Sequence, residues 1–175
     1  MRNALLIALY LQVPIVIGGV LHMLAVTRNL LPALRVPIHS DLFGVNKTWR
    51  GMLLMPLLTA FGALLLWPAE RWLGEQAVFS QPLWWVGLVA GLAYVLAELP
   101  NSWLKRRLGI APGATPSLWV LLGDQLDSGI GVALAYWLVL DQPATVCLLY
   151  TLTFPLTALL VKRLLYRGRL KQSAV

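Results

Sequence analysis

Long apolar runs alternate with short polar segments along this chain. Five runs approach the roughly 20 residues that a membrane-crossing helix needs: residues 4–26, 51–67, 83–97, 118–140 and 144–161. The second and third are short. The third reaches full length only if its helix continues from Glu98 to Leu104, across Pro100. Pro14, Pro56 and Pro155 lie inside runs and are expected to bend their helices. The pattern predicts an all-α membrane protein, a bundle of about five transmembrane helices forming a single integral membrane domain over residues 1–175.

Composition agrees. Of the 175 residues, 59% are hydrophobic and 12% charged, half the charged fraction of about 25% in soluble domains. A water-soluble domain and a disordered chain are both excluded. The lone cysteine, Cys147, rules out an internal disulfide and a cysteine zinc site. The first run is too long for a signal peptide and no clear cleavage pattern follows it, so it is expected to stay as a span.

Charge orients the bundle. Arg28, Arg35, Lys47 and Arg50 follow the first run, Lys105, Arg106 and Arg107 the third, and Lys162, Arg163, Arg167, Arg169 and Lys171 the fifth. The other side carries only Arg2 and Arg71, with Glu70, Glu75 and Asp141. The positive-inside bias therefore predicts an N-terminus outside and a C-terminus in the cytoplasm, as an odd number of spans requires. The net charge of +7 points to anionic lipid headgroups, not to nucleic acid. Trp67, Trp72, Trp84, Trp85 and Trp103 near span ends read as interfacial anchors. Gly87 and Gly91 form a G-x-x-x-G that permits close packing, either within the chain or in a homodimer.

Ionisable groups within spans cost about 2.5–3.5 kcal/mol each on insertion scales, so each one is a functional candidate. In Gly123-Asp124-Gln125-Leu126-Asp127-Ser128-Gly129-Ile130-Gly131, the residues Asp124, Asp127, Ser128 and Gly131 share one helix face. Two carboxylates a turn apart repel unless a cation lies beside them. Hard oxygen donors of this kind suit Mg²⁺, which completes its shell with water and substrate phosphates. The alternative is neutralisation by a basic side chain of a neighbouring helix. Glu98, Asn101, Ser102 and Lys105 repeat the same spacing if the helix survives Pro100; if it breaks there, Asn101 and Ser102 open a new turn. Arg107 is equally well an ordinary positive-inside residue. Before the second span, Gly44-Val45-Asn46-Lys47-Thr48-Trp49-Arg50-Gly51 pairs a point charge with a bidentate fork, a plausible phosphate clamp. By the charge bias all three clusters lie at one end of the bundle, an inventory suited to phosphate chemistry on a lipid headgroup.

Asn46-Lys47-Thr48-Trp49-Arg50-Gly51, Glu98-Leu99-Pro100-Asn101-Ser102-Trp103-Leu104-Lys105-Arg106-Arg107 with Pro112-Gly113, and Asp124-Gln125-Leu126-Asp127-Ser128 resemble, in order and spacing, the motifs of the CDP-archaeol synthase family, relatives of the phosphatidate cytidylyltransferases. The likeness runs over essentially the whole chain. It implies transfer of CMP from CTP to a lipid phosphate, giving a CDP-lipid and pyrophosphate, with Mg²⁺ as cofactor. It also implies roles: Asp124 and Asp127 as metal ligands; Glu98 as a third ligand or as orienter of Lys105; Lys47, Arg50, Lys105 and Arg106 on the triphosphate or lipid phosphate; Asn46, Asn101, Ser102 and Ser128 as polar substrate contacts. Where the phosphatidate enzymes carry histidine-glycine-glycine before the aspartates, this chain has Leu121-Leu122-Gly123, which favours the archaeol branch; the lipid tail stays open.

His22 is expected to be a hydrogen-bonded packing residue, and His39 either to assist the nucleotide or to cap the next turn. Two rival functions remain to be separated from the enzyme. A small ion- or proton-coupled transporter would spread carboxylates over several depths and show an inverted repeat. A non-enzymatic scaffold would leave three carboxylates without a reason.

Overall fold

The computed structural model describes residues 3–114 and 117–168. All regular structure among them is helical, apart from one isolated bridge between Pro37 and Thr48. The first span is α1 (Ala4–Tyr10) followed directly by α2 (Val13–Thr27). The interruption falls at Leu11 and Gln12, just before Pro14, whose nitrogen cannot donate. After a connector holding the four-residue α3 (Ser40–Phe43) come α4 (Trp49–Leu64) and the short α5 (Trp67–Leu73). The long helices α6 (Leu83–Arg107), α7 (Leu118–Leu138) and α8 (Ala144–Arg167) complete the chain.

Four of these units are long and apolar enough to cross a membrane, and a fifth arises if α4 and α5 form one span bent by 40°. At 1.5 Å per residue, α4 alone is about 24 Å long, short of the ~30 Å hydrocarbon layer. The outward faces are leucine-rich, and Leu156 is 70% exposed, as suits lipid rather than water. The chain is a multi-pass membrane protein.

Helix α6 settles the question left by Pro100. It continues unbroken to Arg107, although Pro100 leaves the Leu96 carbonyl without its helical donor. Helices α4 and α8 likewise run through Pro56 and Pro155, so of the three prolines expected to bend spans only Pro14 sits at an interruption.

Helix α4 packs between α2 and α6. Close approach on both sides depends on missing side chains. A Cβ on Gly18 would lie 2.3 Å from Thr59 Oγ1, and Cβ atoms on Gly87 and Gly91 would meet the Cα atoms of Ala60 and Pro56 at 2.4 and 2.5 Å. The G-x-x-x-G is thus used inside the chain and lends no support to a homodimer. Helix α7 packs on α6 and α8, and α1 packs on α8 while α2 diverges from it.

Candidate functional site

Three sequence segments converge at one end of the bundle. The connector before α4 folds back on itself: Ile38 N–H donates to the Lys47 carbonyl at 2.8 Å, and Trp49 N–H to the Val36 carbonyl at 3.0 Å. Thr48 caps α4 through Gly51 N–H. These bonds fix Lys47 so that its ammonium reaches Glu98 on α6, forming an ion pair. Gly44 is favoured in the same connector by its backbone conformation, φ +91°, which side-chain-bearing residues rarely adopt.

The unbroken α6 presents Glu98, Asn101, Ser102 and Lys105 along its stripe, facing α7. A Cβ on Gly131 would stand 2.3 Å from Ala97 Cβ, so this glycine lets α7 approach where the acidic turn begins. Asn101 Nδ2 donates to Asp124 Oδ1 and to Asp127 Oδ2, each at 2.7 Å, and Lys105 Nζ reaches Asp124 Oδ1 at 2.6 Å. Ser128, buried, donates to Asp127 Oδ1 at 2.8 Å and lies 3.5 Å from Glu98 Oε1. One amide nitrogen therefore touches both aspartates.

Around these groups lies a cavity of about 190 Å³. Asn46, Lys47, Glu98, Asn101, Ser102, Lys105, Arg106, Asp124 and Asp127 all line it, all of them expected from the sequence. Its charged lining is three carboxylates against four cations, Lys162 of α8 being the fourth. Two further cavities adjoin it. One, of about 170 Å³, shares Asn46, Lys47, Tyr94 and Glu98 with it and extends towards α2 past His22 and Met52. The other, also about 170 Å³, is mostly apolar and opens between α2 and α8, with Tyr94, Gln125 and Lys162 at its polar end.

Several sequence expectations change here. Arg50 is not in the cavity lining: buried at 6% exposure, it donates from Nη1 to the Leu30 carbonyl at 3.2 Å and to Asn29 Oδ1 at 3.4 Å, closing the end of α2. The basic partner of Glu98 is not Lys105. Glu98 pairs with Lys47 while Lys105 pairs with Asp124, and no group of three His, Cys, Asp or Glu converges among the described residues. His39 caps α3 through Leu42 N–H, whereas His22 lines a cavity and makes no hydrogen bond to another protein group among the described residues, contrary to the packing role expected of it. Arg107 lies over the Trp103 ring at 5.2 Å, outside the cavity lining. Arg2, Arg169 and Lys171 lie outside the described residues.

Tyr94 and Lys162 were not legible as site residues. Tyr94 lies one turn before Glu98 in an apolar run, and Lys162 looks like any basic residue at a span end. Only the cavity they line together with Glu98 and Gln125 reveals them.

No family profile matches the chain, and no solved structure matches it. A curated relative does: the chain is similar to CDP-archaeol synthase of Staphylothermus marinus, 30% identical over 101 residues, covering 56% of this chain. It spans about half the length of that relative, 49%. The family suggested by the motifs and the named protein to which the chain is similar are one and the same.

Proposed function

We propose that the chain is an integral membrane cytidylyltransferase that transfers CMP from CTP to a lipid phosphate, giving a CDP-lipid and pyrophosphate, with its cavity facing the cytoplasm. The carrying observation is the convergence of Asn46–Lys47, Glu98–Arg106 and Asp124–Asp127 on one cavity beside an apolar opening. The basic residues flanking α2, α4, α6 and α8 sit at that same end, which supports a cytoplasmic face.

Asp124 and Asp127 suit a magnesium ion. Their carboxylates converge on a single polar atom, and Mg²⁺ takes only one or two carboxylates when water and phosphates fill the rest of its shell. A bound magnesium ion supplies charge neutralisation along the triphosphate.

The chain's own residues supply position and charge. Lys105 and Arg106 face the same cavity as the aspartates and suit the triphosphate, Arg as a fork and Lys as a point charge. Lys47 stands between this cavity and the one towards α2, where two anions meet. An oxygen of the lipid phosphate attacks the α-phosphorus of CTP; the bond from that phosphorus to the bridging oxygen breaks, and pyrophosphate leaves with the electron pair. The attacking phosphate is already anionic near neutral pH, so no strong general base is needed, and the barrier falls through alignment and preorganised charge. The apolar cavity between α2 and α8 gives the lipid tail a path from the bilayer.

Pyrophosphate release by the purified full chain in detergent tests this reading. The assay contains CTP, Mg²⁺ and a panel of ester and ether lipid phosphates with saturated and isoprenoid tails. Release requiring CTP, Mg²⁺ and a lipid phosphate is expected. No release across the panel from folded protein would overturn it, and ion-gradient-dependent flux in sealed vesicles would put a transporter in its place.

A further inference from the structure

The polar cavity accounts for the metal and nucleotide side of the site but leaves His22 unexplained. His22 lies half-buried near the C-terminal end of α2, facing a cavity and making no hydrogen bond to another protein group among the described residues. It lines the cavity between α2, α4 and α6 with Thr48 and, on the shared wall, Asn46, Lys47 and Glu98. The rest of that lining is apolar, including Met52, Met55 and Val95. A space with nitrogen and hydroxyl donors at one end and thioether and aliphatic groups at the other fits an amphiphile with an anionic head.

The apolar side of this space continues onward. Gly19, Met55 and Tyr94 line both it and the cavity between α2 and α8. Gly18 and Gly19, adjacent on α2, differ sharply. A side chain at Gly18 would collide with Thr59, whereas a Cβ at Gly19 meets only Met55 Cε, at 3.9 Å. The fold tolerates a side chain at Gly19, and that side chain would fall into the passage between the two cavities.

Resting on the transferase reading above, we infer that His22 is a binding residue for the acceptor: its imidazole and the Thr48 hydroxyl hold the lipid's phosphate beside Lys47, while the lipid tail passes Gly19 into the opening between α2 and α8. Lys47 then lies between the attacking phosphate and the nucleotide. Its present partner Glu98 keeps that ammonium on the shared wall. The ligand class is a phosphomonoester carried on a long apolar chain; the cavity lining selects the charge and the tail together.

The test uses the full-length protein in detergent, with His22→Ala, His22→Gln and Gly19→Leu. Pyrophosphate release is measured against CTP and against phosphatidate of long or six-carbon tails, and phosphatidate binding is measured separately without CTP. Losing a hydrogen bond to a charged phosphate weakens binding about ten-fold or more. His22→Ala is therefore expected to raise KM for both phosphatidates at least about ten-fold with KM for CTP unchanged, and His22→Gln, which keeps an N–H donor, to recover part of the loss. Gly19→Leu should weaken long-tailed phosphatidate more than the six-carbon form. Equal changes in both substrates' KM, or an unchanged lipid KM, would overturn the assignment, as would loss of thermal stability without such a split. If the wild type releases no pyrophosphate, the transferase reading fails by itself. Phosphatidate binding that His22→Ala abolishes would still uphold the site, and binding that His22→Ala leaves intact, or none in the wild type, would overturn it.

Discussion

The two ends of this bundle are made from the same helices and handle polarity in opposite ways. At the end away from the cavity, Leu11, Leu140, Tyr136 and Tyr150 are completely buried. Tyr136 and Tyr150 meet edge to face at 5.5 Å, and Tyr150 stacks on Phe154 at 5.5 Å. Tyr136 donates its hydroxyl to the Leu11 carbonyl at 2.8 Å, at the break between α1 and α2. Two polar side chains there close backbone gaps, Tyr136 at this break and Glu70 in a loop. Glu70 is the charged example, buried while accepting Val78 and Phe79 N–H in the loop before α6. At the cavity end, charges pair directly with one another, Lys47 with Glu98 and Lys105 with Asp124, and are only half-buried, because they line an open cavity. Helix α7 changes from one regime to the other within a turn, between Ser128 and Val132. Order at the first end is bought with packing; at the second, packing is given up so that charges stay within reach of a ligand.

The contrast predicts opposite responses to substitution. Asp127→Asn removes a charge whose neighbours are Asn101, Ser128 and Asp124, with little packing behind it. Losing one preorganised charge at a phosphoryl site is expected to cost about 10²–10³-fold in turnover. The unfolding midpoint in detergent should stay level or rise, because the repulsion between Asp124 and Asp127 is relieved. A large drop in thermal stability with turnover per folded molecule preserved would break the comparison, making the acidic turn part of the scaffold.

Tyr136→Ala is the mirror experiment. Removing a fully buried ring empties space that neighbours on α1 and α8 only partly refill. Large-to-small core changes of aromatic residues cost about 3–5 kcal/mol in soluble proteins. The lower figure is expected here, since a membrane core lacks much of the water-transfer contribution. Reversible unfolding in mixed micelles reads the loss. KM for CTP, measured well below the unfolding transition, should not move. If it does, the two ends are coupled along α7.

Much of this division could be read from the sequence, and the boundary of what could be read has a physical cause. Span number and the stripes on α6 and α7 depend on local periodicity, which the chain displays openly. Asp124, Asp127, Asn101 and Lys105 followed from i, i+3, i+4 and i+7 spacing because a helix turns that spacing into a face. Pairing between helices was not legible. The choice of Lys47 rather than Lys105 as partner of Glu98 depends on how the connector before α4 folds back, and no local pattern encodes that. Gly87 and Gly91 announced a close contact without naming α4 as the partner. His22 looked like a packing residue because its neighbours in sequence are apolar; its neighbours in space include Lys47, Thr48 and Glu98.

Arg50 offers the smallest and most discriminating test, because sequence and structure assign it to opposite ends of the comparison. Its motif puts it three residues from Lys47, in a segment suited to phosphate. Its geometry puts it behind the site: the residue is 6% exposed and its guanidinium donates to Leu30 and Asn29, just past the end of α2. The Leu24, Ala25 and Val26 carbonyls at the end of α2 are taken by Arg28, Leu30 and Asn29 N–H, and the buried arginine acts as a brace by holding Asn29 and Leu30 just past that end. Hydrogen bonds from a charged donor contribute about 1.5–3 kcal/mol, offset by the cost of keeping that charge buried. Arg50→Ala should therefore lower stability by about 1–2 kcal/mol, and it should lower the folded fraction rather than either substrate's KM. Arg50→Lys should recover part of that loss, since both bonds leave the single nitrogen Nη1 and an ammonium also carries several donors. A rise in KM for CTP or for the lipid phosphate at unchanged stability would return Arg50 to the substrate. The polar end would then extend one turn deeper than its cavity, through the α2–α4 contact that now looks purely structural.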